Sequence, residues 1–214
     1  MTLRINPEAI FFDLDGTLAD SLGVMKLVYQ QFLINNGKVP SDTEFDSLNG
    51  PPLRMVAALL KQKHAIEAEL DTLLSEYQVL VDKAYESVCP NPGAEELLAG
   101  ARRRNFKIAI VTSNSRLRTE RWLEQTGLKR FIDYIVGAED VKTGKPSAEP
   151  YLAALQLGGL KPEQSLAVED STAGAQAAVA ANIYTFAIDW SGRSHDWPDK
   201  VHKIRKLEEI LPLI

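Results

Sequence analysis

One cysteine, Cys89, stands in 214 residues, so no disulfide can form within the chain and a reducing compartment is expected. Histidine is nearly as scarce: His64, His195 and His202 are scattered, and with a single Cys they make a zinc site improbable. No apolar run approaches the ~20 residues of a membrane span. The stretch Met1–Glu8 lacks a basic region followed by a long apolar segment. No signal peptide is therefore expected, and the chain reads as cytoplasmic. Cations are not in excess either. Lys plus Arg number 24 against 29 for Asp plus Glu, a net charge of −5, which argues against binding nucleic acid or an anionic membrane by bulk charge. What is present is an ordinary globular composition, 45% hydrophobic and 25% charged, enough for a sizeable core and too apolar for disorder.

Ala9-Ile10-Phe11-Phe12 is a short apolar run ending in Asp13-Leu14-Asp15-Gly16-Thr17, which predicts a buried strand. Asp20-Ser21 then offers a helix N-cap. Leu22, Met25, Val28, Tyr29, Phe32 and Leu33 recur at helical spacing up to a stop at Asn35-Asn36-Gly37. From about 38 to 90 the pattern stays helical, with a sharp turn at Gly50-Pro51-Pro52 and a hard break at Cys89-Pro90-Asn91-Pro92-Gly93. Beyond the break the rhythm changes. Strands are predicted at 107–111, 134–136, 165–168 and 183–188, and helices at 94–104, 116–126, 149–157 and 173–181. Such alternation implies βαβ units and right-handed crossovers. The expected fold is α/β, a doubly wound parallel sheet with a small all-helical cap inserted after the first strand. Residues 1–19 and 91–214 would form the core and 20–90 the cap. The cap would rise from the edge where open α/β sheets bind ligands.

Four chemistry-bearing clusters follow predicted strands, so a parallel sheet would gather them at one edge. Asp13 and Asp15, two apart on an extended segment, point the same way and could share a cation or divide the roles of nucleophile and acid/base. Asp-x-Asp-Gly is also ordinary turn chemistry. Thr112, Ser113 and Asn114 offer hydroxyl, amide and backbone donors of a phosphate cradle, or a plain N-cap for the next helix. Lys145 could neutralise a phosphate or a crowded aspartate. It does not end a Walker A loop, because Pro146 stands where Ser or Thr is needed. Glu169-Asp170 suits a hard, oxygen-seeking cation such as Mg²⁺, with a capping role for Asp170 as the plainer reading. His64 is expected at the surface of the helical segment. Arg54, after the Gly50-Pro51-Pro52 turn, is the cap residue placed to touch a substrate, and Arg116 has a similar standing. Either arginine could equally be solvated.

Taken in this order, the clusters resemble the haloacid dehalogenase-like hydrolases. Asp13-Leu14-Asp15-Gly16-Thr17 matches that superfamily's first motif, Thr112 the second, Lys145-Pro146 the third and Glu169-Asp170 the fourth. The branch most similar is that of phosphoglycolate phosphatase and β-phosphoglucomutase, with a Rossmann-like core and a C1 helical cap. Asp20-Ser21, Glu149-Pro150-Tyr151 and Ser171…Gly174 also fit it. The resemblance implies an Mg²⁺-dependent phosphatase acting on a small phosphorylated metabolite. Asp13 would be the nucleophile that becomes an aspartyl-phosphate, and Asp15 the acid/base. Thr112, Ser113 and Asn114 would hold phosphoryl oxygens, and Lys145 would offset their charge. Mg²⁺ would lie between Asp13, the Asp15 backbone carbonyl and Asp170, with Glu169 a further or outlying ligand. The alternatives are a sugar phosphomutase, a dehalogenase and a non-catalytic phosphate-binding module. Mutases of this branch carry a histidine twelve residues after the nucleophile, where this chain has Met25, and dehalogenases lack the acid present here as Asp15.

Overall fold

The computed structural model describes residues 7–46, 48, 51–190 and 196–214. Among them β1 (Ala9–Phe12), β2 (Lys107–Val111), β3 (Tyr134–Val136), β4 (Ser165–Glu169), β5 (Tyr184–Ile188) and β6 (Val201–Ile204) form one sheet in the order β3-β2-β1-β4-β5-β6. Every neighbouring pair is parallel. The chain winds outward in both directions from β1, so the switch in winding, where such sheets bind ligands, falls at β1.

Alternate side chains of each strand enter opposite faces. Ile10, Phe12, Ile110 and Val168 pack with α5 (Ala94–Arg103) and α6 (Arg116–Gln125). Ala9, Phe11, Val111 and Ala167 pack with α7 (Glu149–Gly158) and α8 (Thr172–Ala180). The alanines of α8 let it lie close to the sheet, and Ala177 and Ala178 are fully buried. The central strands therefore read as continuous apolar runs, buried on both faces. β6 is not foreseen in the sequence. It pairs only with β5, and its Val-His-Lys-Ile leaves Lys203 exposed, the composition of an edge strand.

Between β1 and α5 the described residues hold only helices: α1 (Leu22–Asn35), α2 (Asp42–Asp46), α3 (Leu53–Lys63) and α4 (Leu70–Tyr85). Phe32 of α1 stacks on Tyr77 of α4 with ring centroids 4.6 Å apart. The two connections to the sheet run side by side: the Asp20 amide donates to the Cys89 carbonyl at 2.9 Å and the Asn91 amide to the Leu18 carbonyl at 2.8 Å. The buried Asn91 side chain also donates to the carbonyls of Gly16, Thr17 and Ala19. It supplies the partners that a tight loop cannot make for itself. Ser21 is the N-cap residue of α1, as expected, but its hydroxyl bonds no helix amide and is turned elsewhere. Part of the expected turn before α3, Gly50, lies outside the described residues.

The insert is organised around a buried charge. Glu44 of α2 is 5% exposed and receives hydrogen bonds from the Tyr29 hydroxyl and, at 2.8 Å, from His64; Lys63 stands 2.8 Å away. His64 is thus not the surface residue expected from sequence but a partner of Glu44. Burial works against the Glu44 carboxylate, yet the donors from Lys63, Tyr29 and His64 outweigh it and hold its pKa at about 2. A carboxyl depressed in the folded state stabilises fully above its unfolded pKa, and that contribution is lost as the pH falls through the folded value. Glu44→Gln should therefore cost about 1–3 kcal/mol near neutral pH. The gap from wild type should close as the pH falls from about 4 toward 2. Urea unfolding at pH 7 and pH 3 checks this; an equal gap at both would refute it.

Candidate active site

The loop after β1 carries Asp13 and Asp15 because Gly16 lets the chain turn there with φ +78°. Only glycine fits for a second reason: a Cβ at this position would collide with Asp170 Oδ2. The Gly16 carbonyl is held by the indole of Trp190, two residues beyond β5, at 2.7 Å. Asp13 follows β1 directly, and its amide donates to the Val168 carbonyl of β4 at 3.0 Å. The loop after β4 delivers Glu169 and Asp170. Ser171 caps α8, its hydroxyl accepting from the Gly174 amide, so Asp170 is not the cap that the plainer reading allowed.

Lys145 comes from the loop between β3 and α7, across a cis bond to Pro146, and is buried. Its ammonium lies 2.5 Å from Asp13 Oδ1, 2.6 Å from Glu169 Oε1 and 2.8 Å from the Val111 carbonyl. Burial alone would discharge it. The carboxylates of Asp13 and Glu169 outweigh that and raise its pKa, so it stays charged. The Tyr151 hydroxyl also donates to Glu169 Oε1.

Asp13, Glu169 and Asp170 offer oxygens within 4.8 Å of one another, all buried. Three carboxylates thus crowd a single ammonium. Burial pushes the Asp13 carboxyl well above its usual range; Lys145 opposes this, while Glu169 and Asp170 add to it. Glu169 Oε2 is buried without a hydrogen-bond partner, in space that exists because residue 174 is glycine. An orphaned oxygen, surplus negative charge and an all-oxygen donor set fit a hard cation.

Asp15 is placed differently. Ser21 Oγ donates to its Oδ1 at 2.7 Å, the Tyr85 hydroxyl donates to the same oxygen, and Asn114 Nδ2 donates to Oδ2 at 3.0 Å. Ser21 and Tyr85 belong to the two ends of the helical insert, so the insert grips this carboxylate at its junction with the sheet. Thr112, at the end of β2, is buried, and its hydroxyl accepts from the Asn114 amide at 3.0 Å. The N-cap of α6 is Ser115, one residue beyond the Thr112-Ser113-Asn114 cradle. One cavity is lined by Asp13, Asp15, Thr112, Ser113, Asn114, Lys145 and Asp170. Glu169 lies behind it, fully buried.

Arg54 is not brought there. Its guanidinium pairs with Asp71 at 2.9 Å on the outer surface of the insert, with the side chain 62% exposed. Arg116 likewise turns away, to Asp140 at 2.6 Å. The arginine of this site is Arg118, which the sequence reading passes over. It reaches Asn114 Oδ1 at 2.6 Å and lies over the Tyr85 ring, 5.8 Å from the centroid. Its spacing of four from Asn114 at the start of a helix was the available signal, because such residues share a face and Arg116 does not. Tyr85 carried no such signal, since its place in the apolar rhythm of α4 reads only as core.

The family model described as haloacid dehalogenase-like hydrolase matches residues 10–188. The chain belongs to this family, whose model covers β1 to β5, the helical insert and all four clusters. Among its relatives is pyrophosphatase PpaX of Oceanobacillus iheyensis, 28% identical over 97% of this chain and 95% of that protein. A phosphoglycolate phosphatase of Pseudomonas fluorescens is 26% identical over 90% of this chain and 72% of its own. The crystal structure of a putative β-phosphoglucomutase from Thermotoga maritima superposes with a TM-score of 0.73, at 26% identity and 96% and 97% coverage. No helix among the described residues is long and apolar enough to cross a membrane.

Proposed function

We propose that this chain is an Mg²⁺-dependent phosphomonoesterase acting on a small phosphorylated metabolite through an aspartyl-phosphate. The observation that carries the reading is the meeting of Asp13, Asp15, Thr112, Lys145 and Asp170 around one cavity, beneath a helical insert that closes over it. Residues 20–90 act as the cap, and 1–19 with 91–214 as the core. The single cysteine suits a cytoplasmic setting.

Asp13 attacks phosphorus and the ester oxygen leaves. Thr112, with Ser113 and Asn114, donates to the equatorial phosphoryl oxygens, and Lys145 offsets their charge beside Asp13. Asp15 protonates the departing oxygen and then takes a proton from the water that hydrolyses the acyl-phosphate. Asp13, Glu169 and Asp170, with the Asp15 backbone carbonyl, are the groups that would hold Mg²⁺. Bound there, Mg²⁺ supplies the positive charge that lets an anionic nucleophile approach an anionic ester. The Asp15 side chain, kept to Ser21, Tyr85 and Asn114, remains free of the cation cluster for proton transfer.

The test is hydrolysis of p-nitrophenyl phosphate with and without Mg²⁺, alongside Asp170→Ala. Activity should vanish on chelation and return with Mg²⁺, and the variant should need far more of the ion. Turnover that survives exhaustive chelation would sink the metal assignment, and no turnover at all would favour a phosphate-binding module. The similarity to a mutase structure raises a second reading, isomerisation of a sugar phosphate. Met25, in the mutase histidine's place, lines the cavity, and no histidine does so among the described residues. Hydrolysis without isomerisation of a hexose 1-phosphate is the expected outcome.

A further inference from the structure

Asp15 is served by a chain of groups that reaches well beyond its own loop. Arg118 stands in the first turn of α6, with its side chain 11% exposed. Its guanidinium joins the core to the insert. Nε and Nη2 bond Asp82 of α4 at 2.7 and 2.6 Å, while Nη1 donates to Asn114 Oδ1 at 2.6 Å. A guanidinium only donates. So does the Ser115 amide, which bonds the same Asn114 oxygen at 2.9 Å. The two donors fix which end of the Asn114 amide faces them. Its Nδ2 is thereby turned the other way, to Asp15 Oδ2 at 3.0 Å and to the Tyr85 hydroxyl at 2.8 Å. A hydroxyl has a single hydrogen to give. Because Tyr85 accepts from Asn114, that hydrogen goes to Asp15 Oδ1, which also receives the Ser21 hydroxyl at 2.7 Å. The direction of every bond from Asn114 through Tyr85 to Asp15 thus follows from the donors at the Arg118 end.

We infer that Arg118 is a positioning residue for proton transfer, acting on Asp15 through Asn114 and Tyr85 rather than on the substrate. This rests on the phosphomonoesterase reading above and deepens it. Among the described residues Asp15 Oδ1 accepts two hydrogen bonds and Oδ2 one, so Oδ2 is the oxygen with room for the proton. In hydrolysis of the aspartyl-phosphate, Oδ2 takes a proton from water as the water oxygen bonds to phosphorus. The bond from phosphorus to Asp13 breaks, and its electron pair returns to the Asp13 carboxylate. Oδ2 must face the water throughout. Without Arg118 the Asn114 amide is held at Oδ1 by the Ser115 amide alone and swings away from Asp15, which then rotates about its own bond. A displacement of about 1 Å at a reacting group costs on the order of 100-fold in rate. Arg118 also lines the cavity, so direct contact with the ester is the competing role that an experiment must separate.

The experiment uses Arg118→Met in the full chain, with Mg²⁺ and p-nitrophenyl phosphate. Methionine keeps an unbranched apolar stem beside the Tyr85 ring and removes the donors. Rapid mixing with enzyme in excess gives the first-turnover release of p-nitrophenolate, which reports attack by Asp13. Decay of the phosphoenzyme, followed by intact mass, reports its hydrolysis. The aryl oxygen leaves unprotonated, so the first-turnover rate and the substrate concentration that half-saturates it should stay close to wild type. The phosphoenzyme should hydrolyse roughly 10–100-fold more slowly and accumulate. In an Asp15→Asn background Arg118→Met should slow hydrolysis no further, because groups that act as a unit are not additive. Tyr85→Phe removes one donor to Asp15 and keeps the ring. It should show the same selective loss, and it carries the test should Arg118→Met not fold. A slower first turnover or weaker substrate binding, with phosphoenzyme hydrolysis unchanged, would overturn the inference and make Arg118 a substrate contact. A full further loss in the Asp15→Asn background would overturn it too. Either result leaves the phosphatase intact. No turnover of p-nitrophenyl phosphate by the wild-type chain would overturn the phosphomonoesterase reading and the inference with it.

Discussion

Asp13→Asn should abolish turnover, lowering kcat by roughly 10⁴-fold or more. The amide is no nucleophile toward phosphorus, and a neutral group at this position weakens the carboxylate set that would hold the cation. The fold should survive the change. Asp13 is one of three crowded carboxylates, and Lys145 keeps Glu169 as a partner at 2.6 Å when Asp13 loses its charge. Relief of that crowding offsets part of the lost ion pair. The variant should therefore unfold cooperatively close to wild type while showing no burst of alcohol and no covalent phosphoryl group by intact mass. Turnover within tenfold of wild type, or a trapped phosphoenzyme in Asp13→Asn, would remove Asp13 from its role.

Asp15→Asn should lower kcat for an alkyl phosphate by about 10²–10⁴, or ~3–5 kcal/mol of transition-state stabilisation. Asp13 can still attack, but the leaving oxygen has no proton donor and the attacking water no base. KM should change less, because binding falls to Thr112, Lys145, the cation and the insert. The loss depends on the leaving group. An aryl phosphate leaves without protonation, so its phosphorylation step should be hurt less. Dephosphorylation should be hurt equally for both, and phosphoenzyme should accumulate with the aryl ester. The structure adds a cost that the sequence did not suggest. Asn114 Nδ2 donates to Asp15 Oδ2 at 3.0 Å, and Asn114 cannot simply flip, because its Oδ1 accepts from Arg118 at 2.6 Å and the Ser115 amide at 2.9 Å. An asparagine at 15 must therefore keep its Oδ1 toward Asn114 and turn its Nδ2 to the Ser21 and Tyr85 hydroxyls, which have to accept where they donated, at about 1 kcal/mol of stability. The kinetic effect is several times larger. Alkyl phosphate turnover within a few-fold of wild type would refute the acid/base assignment.

The parts of the site that were legible are those encoded locally. A strand buried on both faces must be an unbroken apolar run, so Ala9–Phe12 and Leu166–Val168 announce themselves, and whatever follows them stands at the carboxyl edge of the sheet. Asp13, Asp15, Thr112 and Glu169-Asp170 could be collected at that edge on this ground alone. Lys145 was legible chiefly through its family motif, because nothing in a Gly-Lys-Pro loop tells how far the side chain will reach. The place of Arg54 is not written in its neighbours for a related reason. Arg54 follows a turn that could aim it at the core, but its neighbour across the helix pair is Asp71, and α3 and α4 pack so that the two meet on the outside. β6 leaves no signal in the sequence because an edge strand paired on one side needs no apolar alternation.

By itself, then, the sequence determined which chemical groups stand at the strand ends and that a helical segment interrupts the sheet, because strand and helix periods and glycine turns are written in neighbouring residues. Only the tertiary structure decided who touches whom across the interruption. Asp15 is held by Ser21, Tyr85 and Asn114, the last two lying 70 and 99 residues further along the chain. Arg118 rather than Arg54 or Arg116 meets the site, and His64 turns inward to Glu44. The apolar lining of the cavity is likewise a product of how α1, α2, α3 and α4 sit over the sheet, since the same leucines and valines at helical spacing would serve equally well as buried core. Helical periodicity says that a side chain faces away from water. It does not say whether the space it faces is filled by protein or kept for a ligand, and that depends on the long-range packing of the insert against the sheet.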